Sequence, residues 1–374
     1  MAGAFQKRKR IILAILIFVI IPITISFLLG EVLIRKYSKT GYITPEILKN
    51  LSLQYDKGIL VRNIFPQRIQ KTKGEAGVDI YINEKGYRGK SFEIVKPKGV
   101  TRIIFYGGSS VFDIAASDGK DWPHRVENLL KIKGFKQVEI INAGIPSNSS
   151  FEAVERLFAE GHLLQPDYVV ISDQWNDIKY FRSDESILRQ LNIYAGKEDP
   201  LLNYRNSIDR FLAEHSQLYV RLRTRYYLWK YKVTDEGIEP PGDYTDKISN
   251  TALQQYRLNI AMFIDLARNI HAIPILMTEP RLVMENNNDS QKSLIKYRLV
   301  KLTHLALVDA FNKTDEIIKD IAKEKKVELI DTGNLLKGQD ELFRDQVHTT
   351  ENGSEKLAEI VADEFVAILN TNKL

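Results

Sequence analysis

The chain has 374 residues, 44% hydrophobic and 27% charged, enough for one large domain or a domain with a substantial insertion. Its net charge is +5, and Lys7, Arg8, Lys9 and Arg10 supply four of those charges, so the nearly neutral body gives no electrostatic case for nucleic acid. Cysteine is absent, which excludes disulfides, thiolate metal sites and cysteine nucleophiles.

Ile11 to Leu29 form an uncharged, almost wholly apolar run. At ~1.5 Å per residue the run nearly spans a ~30 Å hydrocarbon core. Pro22 inside it is better tolerated in a membrane helix than in a soluble one. A basic cytoplasmic tail (1–10) thus precedes a transmembrane helix (11–30), and the positive-inside rule sends the rest of the chain outside. The competing reading is a cleaved signal peptide, whose small-residue cleavage site Leu28-Leu29-Gly30-Glu31 matches poorly.

Residues 31–99 read as a juxtamembrane stalk and a small irregular segment, with a tight turn at Asn83 to Gly89; Arg88 in that turn has no demanded role. From residue 100 short β-branched runs alternate with amphipathic stretches. Strands are predicted at Arg102–Tyr106, Val138–Asn142, Tyr168–Ser172, Ile273–Met277 and Val327–Ile330. Helices are predicted to open at Trp122-Pro123, to be capped at Ser150, and to run through Tyr256–Ile270, Phe311–Ala322 and Leu357–Phe365. This alternation predicts an α/β fold with a parallel five-stranded sheet covered on both faces. A helical insertion at about 178–250 breaks the repeat. Its segment Tyr219 to Lys232 is basic and aromatic together, an amphipathic core cover or a membrane-surface or glycan-facing lid, and Gly237 to Gly242 reads as a stiff turn.

Polar motifs follow the strands. Gly107-Gly108-Ser109-Ser110 follows the first, Asn142-Ala143-Gly144 the second, Gln174-Trp175-Asn176-Asp177 the third, and Asp345 to His348 lies beyond the fifth. In a doubly wound sheet these points share the carboxyl edge, where ligands bind. A serine there, with Gly107 and Gly108 permitting a sharp turn, suits a nucleophile. His348 suits its base, and Asp345 suits the group that fixes the imidazole tautomer. The N–H groups of Ser109 and Gly144 and the Asn176 amide suit an oxyanion hole. Ser110 is the neighbouring nucleophile candidate, and Asn176-Asp177 could equally cap a helix. His124, His162, His215, His271 and His304 are read as surface or satisfied core residues without an acidic partner at the Asp-x-x-His spacing. No zinc, calcium or nucleotide motif is found, so no metal or cofactor is expected.

These four blocks resemble those of the SGNH, or GDSL-type, lipases and esterases, in order and spacing over residues 100–368. The resemblance implies a three-layer α/β/α, flavodoxin-like domain over 100–374. It also implies Ser109, His348 and Asp345 as catalytic triad, and Gly144 and Asn176 in the oxyanion hole. Asn83 to Gly89 looks like the segment preceding the domain in many membrane-anchored members. Gly108 stands where the family has aspartate, and Gln174 where it has glycine. The expected function is a membrane-anchored serine esterase or acyl-ester transferase acting on O-acyl groups of extracytoplasmic glycans or envelope components, with envelope polysaccharide machinery as the expected partner. The alternatives are a non-catalytic glycan-binding or assembly component, and a lipid esterase at the membrane surface.

Overall fold

The computed structural model describes Ala14 and residues 16–37, 70–73, 79–187, 190, 206–230, 233–234, 237–238 and 243–371. The basic tail, much of the stalk, parts of the insertion and the end of the expected turn at 237–242 lie outside these residues. The chain divides into two compact units, Met1–Lys57 with Ile193–Glu239, and Gly58–Asn192 with Pro240–Leu374.

Helix α1 (Ile21–Tyr37) continues a π-helical turn at Leu16–Ile20. Together, Ile17–Tyr37 are apolar and long enough to cross a membrane, and no residue of α1 is buried. The second unit then supplies β1 (Thr101–Gly107), α2 (Trp122–Ile132), β2 (Val138–Asn142), α3 (Ser150–Leu164) and β3 (Tyr168–Ser172). Helices α4 (Ser207–His215) and α5 (Gln217–Lys230) belong to the first unit. The second unit resumes with α6 (Asn250–Asn269), β4 (Ile273–Met277), α7 (His304–Lys325), β5 (Glu328–Ile330) and α8 (Glu351–Thr371).

The five strands form one parallel sheet in the order β2-β1-β3-β4-β5. Ile103 to Tyr106 and Val169 to Ile171 are buried on both faces, which is why these strands read as continuous apolar runs rather than alternating ones. Helix α2 packs on α8, while α3 packs on α6, which also meets α7. Phe365 of α8 reaches the sheet edge-on to Phe105, with centroids 5.9 Å apart. The strand order reverses direction at β1, so the crevice between β1 and β3 is the topological switch point.

The cap of α3 is Ser149 rather than the expected Ser150. Glu152 is at the right offset from Ser149 to complete a capping box, its carboxylate accepting from the Ser149 N–H at 2.8 Å. The Ser150 hydroxyl is instead spent on Asp177, at 2.6 Å.

Candidate active site

Strands β1 and β3 pair with Gly107 opposite Ser172, so the turns that leave them begin side by side at the switch point. Gly107 has no room for a side chain, because a Cβ there would lie 2.2 Å from the Ser172 carbonyl oxygen. Gly108 is equally confined, with a Cβ falling 2.2 Å from Asn176 Nδ2 and 2.9 Å from the Asn148 carbonyl oxygen. The bare backbone at 108 therefore lets the Asn176 amide lie directly beside the serine turn Ser109–Phe112.

Ser109 Oγ is 2.7 Å from His348 Nε2. His348 Nδ1 is 2.7 Å from Asp345 Oδ2, and Asp345 Oδ1 accepts the His348 N–H at 2.9 Å and the Val347 N–H at 3.1 Å. The carboxylate thus sees the ring with one oxygen and pins the loop with the other. Lys296 Nζ lies 3.0 Å from Asp345 Oδ2. Burial pushes the Asp345 carboxyl up, but the charge of the His348 ring, its hydrogen bonds and Lys296 outweigh that and hold the group well below the usual carboxylate range. Ser109 and His348 each retain 9% of their surface, so the pair is sheltered yet reachable.

Asn176 Nδ2 donates to the Asn148 carbonyl at 2.6 Å, and the Gly144 N–H donates to Asn142 Oδ1 at 3.0 Å. These two of the three candidate oxyanion donors are thus held by protein acceptors. Asn142 Nδ2 in turn donates to Asp121 Oδ2 at 2.9 Å, and the same oxygen lies 2.7 Å from His124 Nδ1. His124 is therefore not the isolated histidine the sequence suggested. It follows Asp121 at the same spacing as His348 follows Asp345, and this second dyad orients the loop that carries Gly144. Arg88 Nε lies 3.4 Å from Asp121 Oδ1, and its other nitrogens donate to the carbonyls of Phe112, Asp113 and Ala116. The expected turn at Asn83 to Gly89 is present, and its arginine straps the segment that leaves the serine turn.

Ser110 does not face the imidazole. Its hydroxyl donates to Glu279 Oε1 at 2.6 Å. Glu279 Oε2 accepts the N–H groups of Gln174 and Trp175, at 3.0 and 2.6 Å. Gln174 returns the contact, its Oε1 accepting the Glu279 N–H at 2.6 Å while Nε2 donates to Thr314 and Asp315. This explains a glutamine at a position where the resembled family has glycine: it locks the Asn176 loop onto β4. Asp177 accepts from the Ser150 N–H and hydroxyl and does not point to the serine turn. Asp113, in the left-handed conformation that ends the serine turn, accepts from the Trp122 N–H at 2.9 Å and from Thr349, the residue after His348.

Burial raises Asp177 to about 7, with Glu152 and Glu279 adding to it and Ser150 opposing it. Burial likewise raises Glu279, against its hydrogen bonds and the His348 charge. Asp173, fully buried, is pushed well above its ordinary value by burial and then by Asp177 and Glu279; neither of its carboxyl oxygens has a hydrogen-bond partner among the described residues.

Neither a family model nor a curated protein matches the sequence. Solved structures with a related backbone include a protein described as lipolytic, of the G-D-S-L family, from Desulfitobacterium hafniense DCB-2 (14% identity, TM-score 0.41, covering 71% of this chain and 99% of that one). Others are an acetyl xylan esterase, AlAXEase (16%, 0.41, 71% and 98%), and a lipase/acylhydrolase from Enterococcus faecalis (16%, 0.41, 71% and 95%).

Proposed function

We propose that this chain is a serine esterase or acyl-ester transferase of the GDSL type, with Ser109 as nucleophile, His348 as general base and acid, and Asp345 orienting the imidazole. The observation that carries the proposal is the continuous hydrogen-bonded line from Ser109 Oγ through both ring nitrogens of His348 to Asp345. His348 Nε2 takes the serine proton as Oγ attacks the ester carbonyl, and later returns it to the departing alcohol. The Asn176 amide and the Ser109 and Gly144 N–H groups receive the developing oxyanion, with Asn176 and Gly144 exchanging their present acceptors for it. Water then resolves the acyl-enzyme in a hydrolase, and a sugar hydroxyl resolves it in a transferase. The apolar α1 and the basic tail before it support a single-pass protein with this domain outside, facing O-acylated glycans of the envelope.

A fluorophosphonate probe tests the chemistry. The wild-type chain is expected to label, and Ser109→Ala is expected not to. A folded wild-type chain that stays unlabelled overturns the catalytic reading in favour of a glycan-binding component.

A further inference from the structure

The first unit holds a feature that the proposed chemistry does not use. Helix α1 carries a carboxylate, Glu31, immediately after its apolar run. Its two oxygens accept the N–H groups of Gln217 and Leu218, at 2.9 and 2.8 Å, and the Ser216 hydroxyl at 2.8 Å. Those N–H groups are the orphan donors at the start of α5, where the helix dipole also favours a negative charge. Arg35, one turn further along α1, bonds Glu31 at 2.6 Å and the His215 carbonyl at the end of α4 at 2.8 Å. Gly30 allows the close approach, since a Cβ there would lie 3.0 Å from Leu218 Cδ2. The start of α5 is thereby fastened to α1 within one residue of the point where the apolar run ends.

Beyond this clamp the two helices line a groove of 520 Å³. One wall is Leu33, Ile34 and Tyr37 of α1; the other is Leu218, Arg221, Leu222 and Arg225 of α5. The α5 residues fall at helical spacing on one stripe, apolar and cationic by turns. Helix α5 contains no acidic residue. Its Tyr226 and Trp229 are exposed, Trp229 by 77%, which matches aromatic side chains at the headgroup level of a bilayer.

We infer that this groove binds an anionic phospholipid of the membrane that holds α1. The acyl chain lies along Leu33, Ile34, Leu218 and Leu222, and the phosphate meets Arg221 and Arg225. The inference rests on the membrane-anchor reading and is independent of the hydrolase reading. A helix that leaves the hydrocarbon at residue 30 and holds α5 against that point presents the groove at the depth of lipid headgroups, so a phospholipid is the occupant in reach.

The test uses the full chain in neutral detergent, titrated with phosphatidylglycerol or phosphatidylcholine. Bound lipid is counted by native mass spectrometry and followed by Trp229 emission. Phosphatidylglycerol is expected to bind at least ~10-fold more tightly. Arg221→Gln with Arg225→Gln is expected to weaken it about 30-fold, taking ~1 kcal/mol for each basic side chain. Arg221→Lys with Arg225→Lys, which keeps both charges, is expected to restore most of the preference. The melting transition of each variant reports whether it folds; should the glutamine pair not fold, the lysine pair and the two single glutamine variants carry the comparison. Equal affinity for the two lipids in the wild type, or an unchanged preference in the folded glutamine variants, overturns the inference. So does displacement of the lipid by millimolar inorganic phosphate, which points to a soluble phosphate ligand instead. The mass of the purified chain reads the anchor separately: a chain cut before residue 31 defeats both, whereas an intact chain without lipid preference defeats the groove alone.

Discussion

On one side of the switch point, Asp345 is buried and strongly acidic; on the other, Asp173, Asp177 and Glu279 are buried and shifted the opposite way. Burial disfavours ionisation in all four. What separates them is the company each keeps. Asp345 has two backbone N–H groups, an imidazole and a lysine around it. The other three crowd one another, and Asp173 has no hydrogen-bond donor at either oxygen among the described residues. The carboxylate that the proposed imidazolium calls for thus lies on the Asp345 side, while Glu279 and Gln174 on the opposite side brace the Asn176 loop.

The largest expected effect breaks the first side outright: Ser109→Ala should lower turnover of an activated ester by ~10⁶-fold, with the melting temperature little changed. Asp345→Asn should cost ~10⁴-fold through the wrong imidazole tautomer. Because its folded carboxyl lies below the unfolded value of ~3.9, Asp345 also lends stability that is present above that pH and is lost only as pH falls toward the folded value. Glu279→Gln probes the brace. The amide places a donor against the N–H groups of Gln174 and Trp175 or against the Ser110 hydroxyl. It should therefore cost ~1–3 kcal/mol in a denaturant melt, and should lower kcat more than it raises KM. A wild-type kcat in this variant would separate the brace from catalysis.

The smallest effect distinguishes the two sides by sign. Asp177 sits at about 7 and Asp113 at about 6 in the folded chain, against ~3.9 unfolded. The native state therefore holds more protons between pH ~4 and ~7, and stability should fall as pH rises through that window. His124, raised by Asp121 against its burial, adds to the same trend, since its contribution is present below ~6.5 and lost as pH rises past its folded value. Asp173→Asn keeps the shape and removes a buried ionisable group, and should raise the melting temperature at pH 8 by roughly 2–4 °C, with the gain vanishing near pH 4. Thermal melts at pH 5 and 8 that coincide, or a destabilised Asp173→Asn, would remove the contrast.

Strands such as Val138–Asn142, Tyr168–Ser172 and Ile273–Met277 were legible to the residue, because each is a short, largely buried run rich in Val and Ile between polar turns. Ser109 stood out as a serine after a strand and two glycines, and Asp345 and His348 as a pair three residues apart before a helix; the hydrogen bond that joins Ser109 to His348 spans 239 positions. Glu279 was missed although it stands two residues past the end of β4, at the same carboxyl edge; attention to every strand end would have found it. Asp121 and His124 were overlooked because Trp122-Pro123 between them reads first as a helix start. The choice between Ser149 and Ser150 turned on Glu152, whose offset alone identifies the cap. The bonds of Gln174 to Thr314 and Asp315 join residues 140 and 141 positions apart, and no local pattern announces such a pairing.

Gly108 has a consequence for how this site could change over generations. Since a Cβ there meets both the Asn176 amide and a backbone oxygen of residue 148, an aspartate cannot be introduced at 108 by one substitution without evicting Asn176. Residues 108 and 176 are therefore coupled: a side chain at 108 calls for a smaller one at 176 and a shift of the backbone at 148.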